Sequence, residues 1–153
     1  VDPQRLAALG HSVGAAAVLL VASRRPGLAA AVSVSAFAHP EWVMRRWLAQ
    51  RHVPYWPLGW LINRYVERVI GARFDHIAPL ATLGQALCPV LLLHGAQDDT
   101  VPLADAQQLI EHKGRARATL LALDGTHEGF ADPAQAGRSV LDFLRQALRA
   151  AHG

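Results

Sequence analysis

The chain has 153 residues, 52% of them hydrophobic and 18% charged. That composition fits one globular domain with a real core and excludes a disordered polymer. The net charge of +3 is carried almost wholly by scattered arginines, with Lys113 the only lysine and no basic run, which argues against a nucleic-acid surface. The lone Cys88 excludes an internal disulfide and a cysteine metal cluster. No apolar run reaches the roughly 18 residues of a membrane span. The nearest, Ala15 to Ala22, is stopped by Arg24-Arg25-Pro26. The chain opens on Val1 with no visible signal peptide, and a single cysteine points to a reducing compartment, so a cytoplasmic location is expected.

Leu6 to Leu9 is a short apolar run, strand-like. Val13 to Ser23 is rich in alanine and leucine, hence helical, and Pro26-Gly27 punctuates its end. Leu28 to Val34 reads as a buried strand. From about His39 to Leu87 the composition changes: all four tryptophans lie here, with several arginines. Within it Glu41 to Ala49 and Leu58 to Ile70 read as helices, separated by Pro54 and Pro57. Val90 to Leu93, introduced by Pro89, is a third strand, with Cys88 a buried thiol at its mouth. Leu103 to His112 is helical and ends at Gly114. Thr119 to Leu123 is a fourth strand, and Ala134 to Ala151 is an amphipathic helix. Continuous apolar strands alternating with helices predict an α/β fold: a mostly parallel sheet of about four strands with helices on both faces. Reactive residues in such sheets lie on loops beyond the carboxyl ends of the strands.

Three polar residues occupy such loops. Gly10-His11-Ser12-Val13-Gly14 follows the first strand and opens the first helix, the context of a nucleophile elbow. Glycines at 10 and 14 would let the strand turn abruptly, forcing Ser12 outward, and the Val13 N–H would face a developing oxyanion. A serine hydroxyl needs a base. His127, flanked by Gly125 and Gly129, follows the fourth strand. The base needs an orienting carboxylate, and Asp98 and Asp99 follow the third strand. Each signal alone has an ordinary reading as turn, cap or loop residue. Together they give the order Ser, Asp, His, which is that of an α/β-hydrolase.

On these residues the sequence resembles the α/β-hydrolase superfamily, in particular its serine esterase and aminopeptidase-like members. The likeness extends through Phe74-Asp75-His76-Ile77-Ala78-Pro79-Leu80 and the stretch from Pro89 through His94-Gly95 to Pro102. It implies a partial α/β-hydrolase fold forming a single domain over residues 1–153, with a helical cap inserted at 39–87. It implies Ser12 as nucleophile, His127 as general base and acid, and Asp98, rather than Asp99, as orienter. The expected activity is cleavage of carboxylic esters on a small acyl substrate, without cofactor or metal. Thioester or small-peptide hydrolysis, or a non-catalytic truncated domain, are the alternatives. Relatives carry further strands and a second oxyanion donor upstream. Ser12's strand is therefore expected at an open edge, completed by a missing amino-terminal half or by a homo-oligomer.

Other polar residues read more plainly. His127-Glu128 begins a zinc-type His-Glu-x-x-His, but position 131 is alanine, so the motif fails. His94 is expected to hold the Asp98 loop, and Asp75 to cap or anchor a turn. The tryptophans read as packing before they read as an acyl surface. The arginines of residues 39–87 read as a solvated surface.

Overall fold

The computed structural model describes residues 6–150. Four strands, β1 (Leu6–His11), β2 (Leu28–Val34), β3 (Val90–Gly95) and β4 (Ala118–Leu123), form one sheet in the order β1-β2-β3-β4. Every pairing is parallel, with Leu9 opposite Val32, Val32 opposite Leu91 and Leu92 opposite Leu120. The helices α1 (Val13–Arg24), α6 (Leu103–Glu111) and α7 (Pro133–Ala150) follow β1, β3 and β4. Between β2 and β3 run α2 (Pro40–Gln50), α3 (Leu58–Ile70), α4 (Phe74–Ile77) and α5 (Pro79–Thr82).

The central strands explain their own composition. β3 is buried at every position and β2 at all but its last, as unbroken apolar runs require when helices cover both faces. In α1 the buried stripe is Ala15, Val18, Leu19 and Ala22, a helical spacing. It packs with Ala31, Val90 and Leu92 in the main core. Full burial of Leu19 alone contributes about 2 kcal/mol. β1 behaves differently. It pairs only with β2 among the described residues and exposes alternate positions, Ala7, Leu9 and His11. The strand leading to Ser12 is thus at an edge, as expected, with its outer hydrogen-bonding groups unpaired in this sheet.

The segment between β2 and β3 is held by polar ties as much as by apolar packing. Asp105, at the start of α6, is buried and takes both guanidinium nitrogens of Arg46 at 2.9 Å. The Ala38 N–H donates to the same carboxylate at 3.0 Å. Arg46 is therefore a structural tie, against the expectation of a solvated surface. Removing one partner of a fully buried pair costs roughly 3–5 kcal/mol. The Arg46 side chain keeps 29% of its exposure, so its share is smaller. On α3 the buried face is Gly59, Asn63 and Glu67. Asn63 donates to the Tyr55 hydroxyl at 3.0 Å, and Glu67 accepts from the Phe74 N–H at 2.8 Å and from Arg64 at 2.7 Å. The tryptophans correct the packing expectation. All four are exposed, and for Trp60 the reason is that the inward face of α3 is given to these polar groups.

The two glycines of the elbow differ in a way the motif does not reveal. A Cβ on Gly10 would lie 2.2 Å from the Gly14 carbonyl oxygen, so β1 and α1 touch there with no room for a side chain. A Cβ on Gly14 would meet nothing within 4 Å. Only the first glycine is sterically required by the turn. Gly10→Ala is expected to destabilise the protein by about 2–3 kcal/mol through forced displacement. Gly14→Ala is expected to stay within about 1 kcal/mol of wild type. Parallel denaturant melts check this, and equal midpoints for the two variants would contradict the steric assignment.

Candidate active site

Three loops converge because three parallel strands end on the same side of the sheet. After β1 the chain bends at Ser12, whose φ of 55° and ψ of −113° are strained for a residue with a Cβ. The bend is pinned on both sides. The Ser12 N–H donates to Val34 at 2.9 Å, and its carbonyl accepts from Ala15 and Ala16 at the start of α1. Val13 is the first residue of α1, so its N–H has no partner within the helix.

After β3, Asp98 folds its own loop around one carboxylate oxygen. Oδ1 accepts from the N–H groups of Thr100 at 3.0 Å and Val101 at 2.7 Å. That leaves Oδ2 for His127, whose Nδ1 lies 2.9 Å away. The carboxylate can only accept, so Nδ1 carries the proton and Nε2 is left as an acceptor. Nε2 is 3.1 Å from the Ser12 Oγ, which donates to it. The structure thus brings Ser12, His127 and Asp98 into one chain of hydrogen bonds. Asp99 is left out: it is exposed, and its carboxylate meets only the Thr100 hydroxyl at 3.4 Å.

Burial acts most strongly on the Asp98 carboxyl and pushes its pKa up. The Val101 N–H, then the hydrogen bond and charge of His127, then the charge of His94 outweigh it, and the net shift is downward. The group is ionised at neutral pH. His94 supports the same loop, donating from Nε2 to the Val101 carbonyl at 2.8 Å with that nitrogen 3.6 Å from Asp98.

Two supports were invisible in the residue pattern. Gln97 ties the Asp98 loop to the His127 loop in both directions. Its N–H donates to the Gly125 carbonyl at 2.9 Å, and its side-chain oxygen accepts from the Gly125 N–H at 2.8 Å. The loops approach so closely at Gly95 that a Cβ there would lie 2.7 Å from the carbonyl oxygens of Gly125 and Thr126. The second support is His11. Its Nε2 donates to the His127 main-chain carbonyl at 2.8 Å, and the two rings lie 4.9 Å apart at 47°. Period-two alternation puts His11 on the outward face of β1, but its partner is 116 residues away. Asp75, in contrast, stands apart from the site, 3.3 Å from His39 and 3.6 Å from Arg73.

Beside Val13 lies a cavity of about 310 Å³ between α1 and the chain leaving β2. Ala16 and Leu20 form one wall, and Phe37, Phe74 and Ile77 the other. Among the described residues no group of three or more His, Cys, Asp or Glu side chains is placed to hold a metal ion.

Comparisons with known proteins agree with this architecture. The uncharacterized protein YqkD of Bacillus subtilis is 30% identical over 121 residues, covering 77% of this chain and 40% of YqkD. Cutinase 2 of Thermobifida cellulosilytica is 33% identical over 82 residues, covering 54% of this chain and 25% of the cutinase. The chain thus spans less than half the length of either. Among solved structures, a puromycin-hydrolyzing peptidase of Mycobacterium tuberculosis superposes with a TM-score of 0.72 at 24% identity. That match covers 97% of this chain and 22% of the peptidase. The description "Prolyl oligopeptidase family" matches residues 1–150. The chain therefore belongs to the prolyl oligopeptidase family of esterase- and peptidase-like hydrolases, within the α/β-hydrolase superfamily.

Proposed function

We propose that this chain carries a serine hydrolase centre that cleaves carboxylic esters by acyl transfer. The observation that carries the reading is the continuous link from the Ser12 hydroxyl through the His127 imidazole to the Asp98 carboxylate, at 3.1 and 2.9 Å. Ser12 Oγ attacks the carbonyl carbon as Nε2 of His127 takes its proton. The resulting imidazolium is stabilised by Asp98 and returns the proton to the leaving alkoxide. Water then releases the acyl group by the same path in reverse. The Val13 N–H supports the oxyanion, a donor of the kind worth about 2.7–4 kcal/mol in such sites.

The apolar cavity beside Val13 favours an uncharged, hydrophobic acyl group over a charged one. The likeness to a cutinase favours an ester. The prolyl oligopeptidase match favours amide cleavage by the same residues as the second reading. Residues 39–87 act as the cap, since Phe74 and Ile77 supply one wall of the cavity, within one domain over residues 1–153. The unpaired edge of β1 favours a neighbour there, from a further part of the fold or from a second copy, carrying the second oxyanion donor. A cytoplasmic setting belongs to the same reading.

A fluorophosphonate probe is expected to label the full-length protein at Ser12, and Ser12→Ala to abolish labelling. Absence of labelling in the wild type would leave a non-catalytic domain. Paired p-nitrophenyl ester and p-nitroanilide substrates then separate ester from amide cleavage. Asp98→Asn should lower kcat by about 10³–10⁴, whereas Asp99→Asn should leave it near wild type. His11→Ala should lower kcat about five- to tenfold with KM unchanged, the worth of one hydrogen bond that fixes the base, and His11→Gln should recover part of the loss. A His11→Ala enzyme with wild-type kcat would remove that role. Asp98 also predicts an acid limb. Its folded pKa lies below the unfolded value of about 3.9, so its stabilisation is complete above that pH and is lost as pH falls through the folded value. Asp98→Asn should flatten this part of a melting-temperature profile below about pH 4, and an unchanged slope would contradict it.

A further inference from the structure

The charge of this protein is concentrated. Residues 39–77 contain six arginines against three acidic residues, while the rest of the chain contains nine basic and nine acidic residues. The formal excess therefore sits in the helical segment between β2 and the turn at Pro79, with one of its arginines, Arg46, neutralised by Asp105 of α6. The same segment holds all four tryptophans and both tyrosines.

Its surface is amphipathic in an unusual sense. With Gly59, Asn63 and Glu67 turned inward, α3 presents Leu61, Tyr65 and Val69 to the outside at 53%, 69% and 66% exposure. Arg64 and Arg68 flank this strip, sharing one groove with Leu61 and Tyr65, and Trp60 lies beyond them around the helix, in a tilted pair with Trp56 with centroids 5.3 Å apart. Elsewhere in the segment arginines stack on rings, Arg51 over Trp47 at 3.9 Å and Arg45 over Tyr55 at 3.8 Å. The three acids are all occupied, Glu41 by Arg45, Glu67 by Arg64, and Asp75 by His39 and Arg73. An outward apolar helix face rimmed by arginine and tryptophan is the pattern of a helix lying in a lipid interface. At 13 residues α3 is about 20 Å long, and no described helix is long and apolar enough to cross a membrane, so the geometry is that of lying on a surface. A second copy of the same face would bring two excess-positive segments together, which disfavours self-association there.

We propose that the face formed by Trp56, Trp60 and the outer side of α3 docks peripherally on an anionic lipid bilayer. The arginines meet the headgroups and the aromatic and aliphatic side chains enter the interface. This inference stands apart from the hydrolase reading and does not depend on Ser12.

The test is co-sedimentation of the full-length protein with vesicles of phosphatidylcholine alone and of phosphatidylcholine mixed with phosphatidylglycerol, at low and high salt. Binding is expected to the mixed vesicles, with a blue shift in tryptophan emission, and to weaken as salt rises. Arg68→Glu and Tyr65→Ser/Val69→Ser should each lower the partition coefficient about tenfold or more. Circular dichroism should show both variants folded. Failure of the wild type to bind mixed vesicles, or unchanged binding by either folded variant, would overturn the proposal. So would a wild-type dimer that becomes monomeric in Tyr65→Ser/Val69→Ser, since a second copy would then own the face. Unfolding of that variant would assign the face to the protein's own interior and overturn the proposal as well.

Discussion

One carboxylate organises the rim of this sheet. The two oxygens of Asp98 point in different directions. Oδ1 closes the Asp98 loop on itself, and Oδ2 reaches across to another loop and fixes an imidazole. Because the carboxylate only accepts, it dictates which nitrogen of His127 carries the proton. That in turn leaves Nε2 free to accept from Ser12. A neutral isostere at position 98 could keep much of the shape, but it would not enforce the tautomer. The charge is maintained by donors that outweigh the cost of burying it, so the electrostatics of the loop and the direction of the hydrogen-bond chain have one cause.

The same logic, a buried acid satisfied by groups from separate elements, recurs away from the site. Asp105 joins α6, the Ala38 backbone and Arg46 of α2, while Glu67 joins α3 to the start of α4. The first tie attaches the helical segment to α6, and the second holds α3 to α4 within it. They also account for its outward aspect. A helix that gives its inner face to Asn63 and Glu67 has its aliphatic residues left over for the surface. The apolar cavity beside Val13 and the aromatic outer face are therefore two sides of one segment.

The position of β1 has its own consequence. Ser12 is carried by a strand paired on one side only, and its bend is braced by contacts from that side: Val34 from β2, the first turn of α1, and the His11 bridge to His127. His11 sits on the face of β1 that the described chain leaves open, so the brace between the two loops is itself exposed. Asp98 follows β3, which is paired on both sides, whereas Ser12 and His127 follow the two edge strands of the described sheet, β1 and β4.

The strands and helices were legible from the residues because they follow local rules. Unbroken apolar runs, prolines at their borders and helical spacing placed β2 and α3 at their observed limits and the other expected elements within a few residues, while the one-turn helices α4 and α5 were not expected. The Gly-x-Ser-x-Gly context, and polar residues just beyond strand ends, were legible for the same reason, since a parallel sheet sends those ends to one side. Contacts between distant residues were not. Nothing local distinguishes Asp98 from Asp99; the choice was made by which carboxylate the loop turns toward His127. Nothing local marks His11 or Gln97 as braces, or Arg46 as a buried tie, because each finds its partner across 28 to 116 positions of chain. Trp60 departs from the packing expectation for a related reason. Helical periodicity states that a helix has two faces, and only the packing of the whole chain decided that α3 would turn the polar one inward.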